Sequence, residues 1–209
     1  MILDDPQTIA RWRAAGWWGD TTVDDLFRAC VAARPGEPAL ADAPNRADFV
    51  GGAPQVLSFA AADAQVDRLA AALHAAGVRK DHVVVVQLPN IVEIVIAFLA
   101  CARLGAIVSP VMLAYGERDL RRIVRHLRPA AFLTLSRWRD GSPAALAARL
   151  AVEDPTAFFP VFALGDSGAA QRLQPPDMGI HIAFIISARH AALELRLFEM
   201  TARPVDAVL

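Results

Sequence analysis

The residue types that most often do chemistry are present in this chain, but not in working constellations. Five histidines, His74, His82, His126, His181 and His190, stand apart from one another. No pair has the i, i+4 spacing that turns two imidazoles toward one metal, and there is no His-Glu-x-x-His run. Each is expected to be structural or on the surface, because an isolated imidazole needs partners to act. Ser109, Ser136, Ser142, Ser167 and Ser187 lie in no Gly-x-Ser-x-Gly elbow. Gly165-Asp166-Ser167-Gly168 follows a predicted strand but matches neither the dinucleotide nor the P-loop fingerprint, so a plain turn is favoured over a phosphate cradle. Arg118, Arg121, Arg122, Arg125 and Arg128 make a basic face on one predicted helix. A solvated face is the plain reading and an anion contact the sharp one. Of the 21 basic residues only Lys80 is lysine, and with so much alanine this reads as coding bias, so arginine alone is weak evidence for phosphate binding. Trp12, Trp17 and Trp18 are expected to clamp a terminal helix. No catalytic, cofactor-binding or metal-binding residue is assigned from these patterns.

Composition narrows the classes. The chain has 209 residues, 55% hydrophobic and 21% charged, with a formal net charge of -1. That excludes a disordered chain, and the missing basic excess argues against a dedicated nucleic-acid binder. Cys30 and Cys101 are isolated from any second Cys or His at ligand spacing. Neither a disulfide framework nor a zinc site is expected, and a reducing, cytoplasmic location is the default. The N-terminus has no basic and apolar signal pattern. The most apolar stretch, Val83 to Leu113, is broken by Pro89-Asn90, Gly105 and Pro110 and carries Glu93 and Arg103. A membrane span needs about 20 uninterrupted apolar residues, so the stretch reads as strand, helix and strand of a buried core.

The elements that would position any site follow in order. Thr22 with Asp25 resembles a capping box opening a helix from Val23 to Ala33, with Leu26, Phe27, Cys30 and Val31 on its inner face. A short strand is expected at Ala39–Leu40 and a loop over residues 42–55. Ser58 caps the next helix, with Val66, Leu69, Ala70 and Leu73 as its stripe and Gly77 as its left-handed stop. Val83–Val86 is an unalternating β-branched run, the pattern of a strand buried on both faces. Asn90 with Glu93 is read as a capping-box variant opening an all-round apolar helix, Ile91–Leu104. Ile94 and Phe98 should therefore be out of solvent. Strands at Ala106–Val111, Ala130–Leu135 and Pro160–Leu164 alternate with helices at Glu117–Leu127 and from Ser142 to Leu150. Alternation of this kind predicts an α/β, doubly wound, mainly parallel sheet with flanking helices. The expected division is an N-terminal helical arm and loop over residues 1–56, a parallel α/β core over 57–165, and a linker with an atypical tail over 166–209. In that tail His181–Ile186 is a strand candidate and Ala188–Met200 a helix with exposed apolar side chains.

Five segments carry a family resemblance. They are Ala15-Gly16-Trp17-Trp18-Gly19-Asp20-Thr21-Thr22-Val23-Asp24-Asp25-Leu26-Phe27; Ala33-Arg34-Pro35-Gly36-Glu37-Pro38-Ala39-Leu40; Leu57-Ser58-Phe59 with the helix from Val66 to Leu73 and Gly77-Val78; Val83–Val86 with Gln87-Leu88-Pro89-Asn90 and Glu93; and Ala100 through Pro110. In this order and spacing they resemble the N-terminal part of an acyl-CoA synthetase of the adenylate-forming, AMP-dependent synthetase/ligase superfamily. The flavour is closest to cyclohexanecarboxylate- or short-chain-type CoA ligases. The resemblance covers about residues 8–165. It implies a partial N-terminal domain of that fold, and an enzyme that activates a carboxylic acid with ATP and Mg²⁺ and passes the acyl group to coenzyme A.

The chain departs from that family where the chemistry is expected. It has no Gly/Ser/Thr-rich phosphate loop with lysine, and Lys80 lies on a predicted turn where Asp81 replaces the family's usual glycine. No catalytic residue is carried over, and no cofactor is expected for this chain alone. Three readings stay open: a truncated or frame-altered N-terminal portion without independent catalysis, a half-enzyme completed by a second chain, and a free-standing α/β binding or interaction domain. The expected partners are a carboxylic acid substrate by resemblance, and a partner chain or second copy through exposed apolar surface.

Overall fold

The computed structural model describes residues 5–153, 158–164 and 182–185, with the side chains of 182–185 left aside. Two elements lead the chain. Helix α1 (Pro6–Ala14) starts at Asp5, whose carboxylate accepts from the Gln7 and Thr8 amides. Helix α2 (Val23–Ala33) carries the expected Thr22/Asp25 capping box. Its inner face differs from the sequence reading. Leu26 is exposed, while Asp24 is buried because it meets Arg103. Strand β1 (Pro38–Ala41) pairs antiparallel with β2 (Val56–Ser58), a strand the sequence pattern did not suggest. Between them, the predicted loop holds one helical turn, α3 (Ala47–Val50).

Helix α4 (Phe59–Ala75) begins at Ser58, whose hydroxyl accepts from the Ala61 amide. It ends in a turn where Gly77, at φ +94°, lets the Val78 amide reach back to the Leu73 carbonyl. The main sheet follows: β3 (Val83–Gln87), α5 (Val92–Arg103), β4 (Ile107–Pro110), α6 (Glu117–Leu127), β5 (Ala131–Leu135), α7 (Pro143–Glu153) and β6 (Val161–Leu164). Strand order is β4-β3-β5-β6, all parallel, and β7 (Ile182–Ile185) adds an antiparallel fifth strand beside β6. β7 falls within the expected strand at 181–186. The expected linker and tail helix lie outside the described residues.

The sheet buries both faces, which is why its strands show no alternation. Val84, Val86, Leu133 and Phe162 face α4 and α5, whereas Val85, Phe132 and Val161 face α6 and α7. The α/β, doubly wound reading therefore holds. Within α5 the all-round burial does not. Ile94 packs against the core, but Phe98 is 41% exposed and Val95 38% exposed, both on the outer face of the helix. The capping reading of Asn90 fails too. Helix α5 has Ile91 at its N-cap with no cap from its own residues, and Glu93 points elsewhere.

Candidate functional site

A parallel sheet offers its ligands a fixed place. In open α/β sheets they bind beyond the carboxyl ends of the strands, where the connections diverge to opposite sides of the sheet. Here β3 is followed by β4 on one side, and β5 then returns to its other side, so the divergence lies between β3 and β5. The C-terminal ends of these strands are tied together. The Thr134 hydroxyl donates to Gln87 Oε1 at 3.1 Å, and Gln87 Nε2 donates to the Met112 carbonyl at 3.1 Å. Both side chains are buried, so each polar atom needs such a partner. Beneath them, Leu88, Glu93, Leu133 and Phe162 line a recess of about 30 Å³. That holds about one water, against several hundred Å³ for a typical ligand site.

The N-terminus of α5 opens onto this place, and a helix N-terminus is an anion seat. The chain fills it from a distance. Asp42 Oδ1 accepts from the Val92 amide at 2.8 Å, and Asp42 Oδ2 accepts from the Gln55 amide at 2.9 Å. Arg46 then bridges two carboxylates. Its Nη1 donates to Asp42 at 2.7 Å and to Glu93 Oε2 at 2.8 Å, and its Nη2 to Glu93 Oε1 at 2.5 Å. Gln55 Nε2 adds a third contact to Glu93 at 3.1 Å. The Asp42 side chain is wholly buried. Burial pushes its pKa up, but the two backbone amides and Arg46 outweigh burial and hold the carboxyl below its ordinary 3.8.

A second buried guanidinium sits at the other end of the helix. Arg103, with its side chain 2% exposed, donates to Asp24 of α2 at 2.9 Å and to Asp63 at 2.7 Å, and it also bonds Asp67, the last two being on α4. Burial works against its charge, and the hydrogen bonds to Asp24 and Asp63 overcome it, raising the pKa. Sequence reasoning missed Asp24, Asp42, Arg46 and Gln55. The available signal was the charge of Glu93 and Arg103 inside an apolar run, which demands buried partners.

The other singled-out residues scatter. His74 lies in the last turn of α4, His82 accepts from the Arg79 amide, and His126 is exposed on α6. Ser142 caps α7 through the Ala145 amide, while Ser109 is on β4. Asp81 has φ +67°, the left-handed turn its replacement of glycine implied. Trp12 stacks on Trp17 at 4.5 Å, folding the chain back on α1 as expected, but Trp17 stays 71% exposed. Gly165-Asp166-Ser167-Gly168, His181, His190 and Ser187 lie outside the described residues. Among the described residues, no three His, Cys, Asp or Glu side chains are placed to hold a metal ion, and no helix is long and apolar enough to cross a membrane. The helix N-terminus at the strand divergence, where a phosphate of the ATP implied by the resemblance would find donors, already holds the Asp42 carboxylate.

On α6 the basic face divides. Arg121 is held by Glu117 and by Glu153 of α7, and Arg149 takes the second Glu117 oxygen at 2.9 Å. Those bonds raise the Arg121 pKa. Arg118, Arg122 and Arg125 make no ion pair with a described residue, although Arg125 is near enough to Glu153 to help lower its pKa.

Comparison with known proteins agrees with the architecture. The profile of a family described as AMP-binding enzyme matches residues 27–172. The chain is 39% identical over 109 residues to a salicyl-AMP ligase / salicyl-S-ArCP synthetase of Mycobacterium tuberculosis, covering 52% of the chain and 18% of that protein. It is 31% identical over 147 residues to a 2-hydroxy-7-methoxy-5-methyl-1-naphthoate–CoA ligase of Streptomyces carzinostaticus, covering 70% of the chain and 25% of that protein. The chain thus spans a quarter or less of these relatives' length. Among solved structures, an acetoacetyl-CoA synthetase from Streptomyces lividans matches with a TM-score of 0.56 and 26% identity, over 67% of the chain and 21% of that structure. A match of this extent, on a fold of this topology, places the chain in the AMP-binding enzyme family of adenylate-forming acid ligases, of which it spans the N-terminal part.

Proposed function

We propose that this chain supplies the N-terminal scaffold of an ATP-dependent carboxylic acid–CoA ligase. In the full reaction, acid and ATP give acyl-adenylate and pyrophosphate. The coenzyme A thiol then displaces AMP to leave acyl-CoA. Relatives whose names specify CoA ligation support the acceptor, and the named aryl-acid and short-chain relatives leave the acid open. The reading puts the chain in the cytoplasm, where ATP and CoA are held.

One observation carries the scaffold role. The anion seat at the strand divergence is filled by Asp42, Arg46 and Glu93, so the described residues build walls and leave charge stabilisation to groups elsewhere. Phosphoryl and adenylyl chemistry needs fixed donors aimed at developing charge. Two measurements test this. Alone, the chain should catalyse no pyrophosphate exchange with a panel of aliphatic, alicyclic and aromatic acids. Placed in the mycobacterial salicyl-AMP ligase in exchange for the matching stretch, it should support exchange with that enzyme's acid. Exchange by the chain alone, or a folded chimera that is inactive, would overturn the scaffold reading.

A further inference from the structure

The geometry points to an anion-binding groove between α6 and the edge strand β4, suited to a small organic polyphosphate. It is separate from the α5 N-terminus and independent of the ligase reading. The groove has a volume of about 820 Å³, within the range of small-molecule sites. Its titratable lining is basic or phenolic: Arg118, Arg121, Arg122, Arg125, His126 and Tyr115.

No described acid lines the groove, although Glu117 and Glu153 neutralise one lining residue, Arg121. Glu117 and Glu153 are spent on Arg121 and Arg149, on the side of α6 that meets α7. Asp119 is exposed on α6 but does not line the groove. Arg118 and Arg122 therefore face the groove with no ion pair to a described residue. Arg118, Arg122 and Arg125, at i, i+4 and i+7, form one stripe about 10 Å long at 1.5 Å per residue. That stripe can engage two or three phosphate groups, and guanidinium forks suit phosphate oxygens.

Other occupants fit less well. An added strand would need donors and acceptors along β4, but the edge is four residues long and Pro110 has no N–H to give. A second copy across a two-fold would set one arginine stripe against another. A nucleic acid would want a longer basic track than a single helix face in a chain of net charge -1.

The test is calorimetric titration of the whole chain with inorganic tripolyphosphate, at low salt and at physiological salt. Wild type should bind about one equivalent, more weakly at the higher salt. Arg118→Ala/Arg122→Ala should weaken binding by about tenfold or more, since two charge-assisted contacts are lost. Arg118→Lys/Arg122→Lys should retain part of the affinity. The control Arg11→Ala/Arg68→Ala removes the same charge elsewhere and should leave binding unchanged. Circular dichroism and thermal midpoints establish that each variant is folded. Any of three results overturns the proposal: no saturable binding, equal losses in the groove and control variants, or tighter binding of a single-stranded oligonucleotide or of polyglutamate through the same arginines.

Discussion

Replacing Arg46 with alanine should be among the most damaging single changes available in this chain. Arg46 is the cation that two buried carboxylates face, with side-chain exposures of 0% for Asp42 and 5% for Glu93. Removing one partner of a buried pair leaves an uncompensated charge in a poorly solvated place, which costs about 3–5 kcal/mol. Domains of this kind have only about 5–15 kcal/mol to lose. At roughly 2–4 °C per kcal/mol for a chain of this size, the thermal midpoint should fall by roughly 6–20 °C. Arg46→Lys keeps a charge but not the fork, and should fall between the two.

The loss should also depend on pH, with a sign fixed by Asp42. In the native chain its pKa is lowered, so its stabilising contribution is complete above the ordinary value of 3.8 and disappears as pH falls through the depressed one. Without Arg46 the burial effect is less opposed and that pKa should rise. A raised carboxyl pKa destabilises at neutral pH and is relieved as pH falls through it. The gap between wild type and Arg46→Ala should therefore be full at neutral pH and narrow as pH falls through the carboxylate range toward the depressed native value. Urea unfolding followed by tryptophan fluorescence measures both. A loss under about 1 kcal/mol at neutral pH, below the range for a broken buried pair, or a gap independent of pH, would refute the reasoning.

Three further outcomes are expected. Arg128→Gly should raise stability by about 0.5–1 kcal/mol, because Arg128 ends α6 at φ +45° where a side chain is strained and glycine is not; chemical denaturation reads the shift. Native chain treated with a thiol reagent at pH 8 should show rapid labelling of Cys30 alone, since Cys101 is buried and its pKa is pushed up to about 12; unfolding should release the second thiol. Phe132→Ala should cost about 3–5 kcal/mol, as Phe132 is fully buried against Phe159, whereas Phe98→Ala should stay within about 0.5 kcal/mol, an ordinary surface effect.

How much of this was legible in the sequence depended on how local each cause was. The strands Val83–Gln87 and Ala131–Leu135 show as apolar runs because both faces are covered, and local pattern suffices. The Thr22/Asp25 and Ser58 caps are likewise short-range chemistry. Asn90 misled because a good capping residue stood one position before the actual N-cap, Ile91, of a helix whose Val92 amide is instead capped by Asp42, 50 residues earlier. Glu93 was misread for the same reason: its partner is Arg46, 47 residues away. Strand β2 was missed because three residues beside a proline and glycine loop carry little pattern, and only pairing with β1 defines them. Phe98 misled because an all-round apolar helix need not be covered on every side.

Helix α5 ties the described residues together through the two charges it carries. Its charges obey the helix dipole, with Glu93 in the first turn and Arg103 in the last. Each is then buried and used as an anchor. Glu93 draws in Arg46, Asp42 and Gln55 from the segment between β1 and β2, and Arg103 draws in α2 through Asp24 and α4 through Asp63 and Asp67. A slip of the helix by one residue would strand two buried ions, so the anchors set a register that apolar packing alone would leave loose. The same anchors bring Asp42 onto the Val92 amide, at the point where a phosphate would otherwise find its donors. Fixing the helix and filling its anion seat are thus one arrangement of side chains. Vacating the seat for a phosphate would mean moving Asp42 away from Arg46 and the Gln55 amide, leaving the buried guanidinium with one carboxylate fewer.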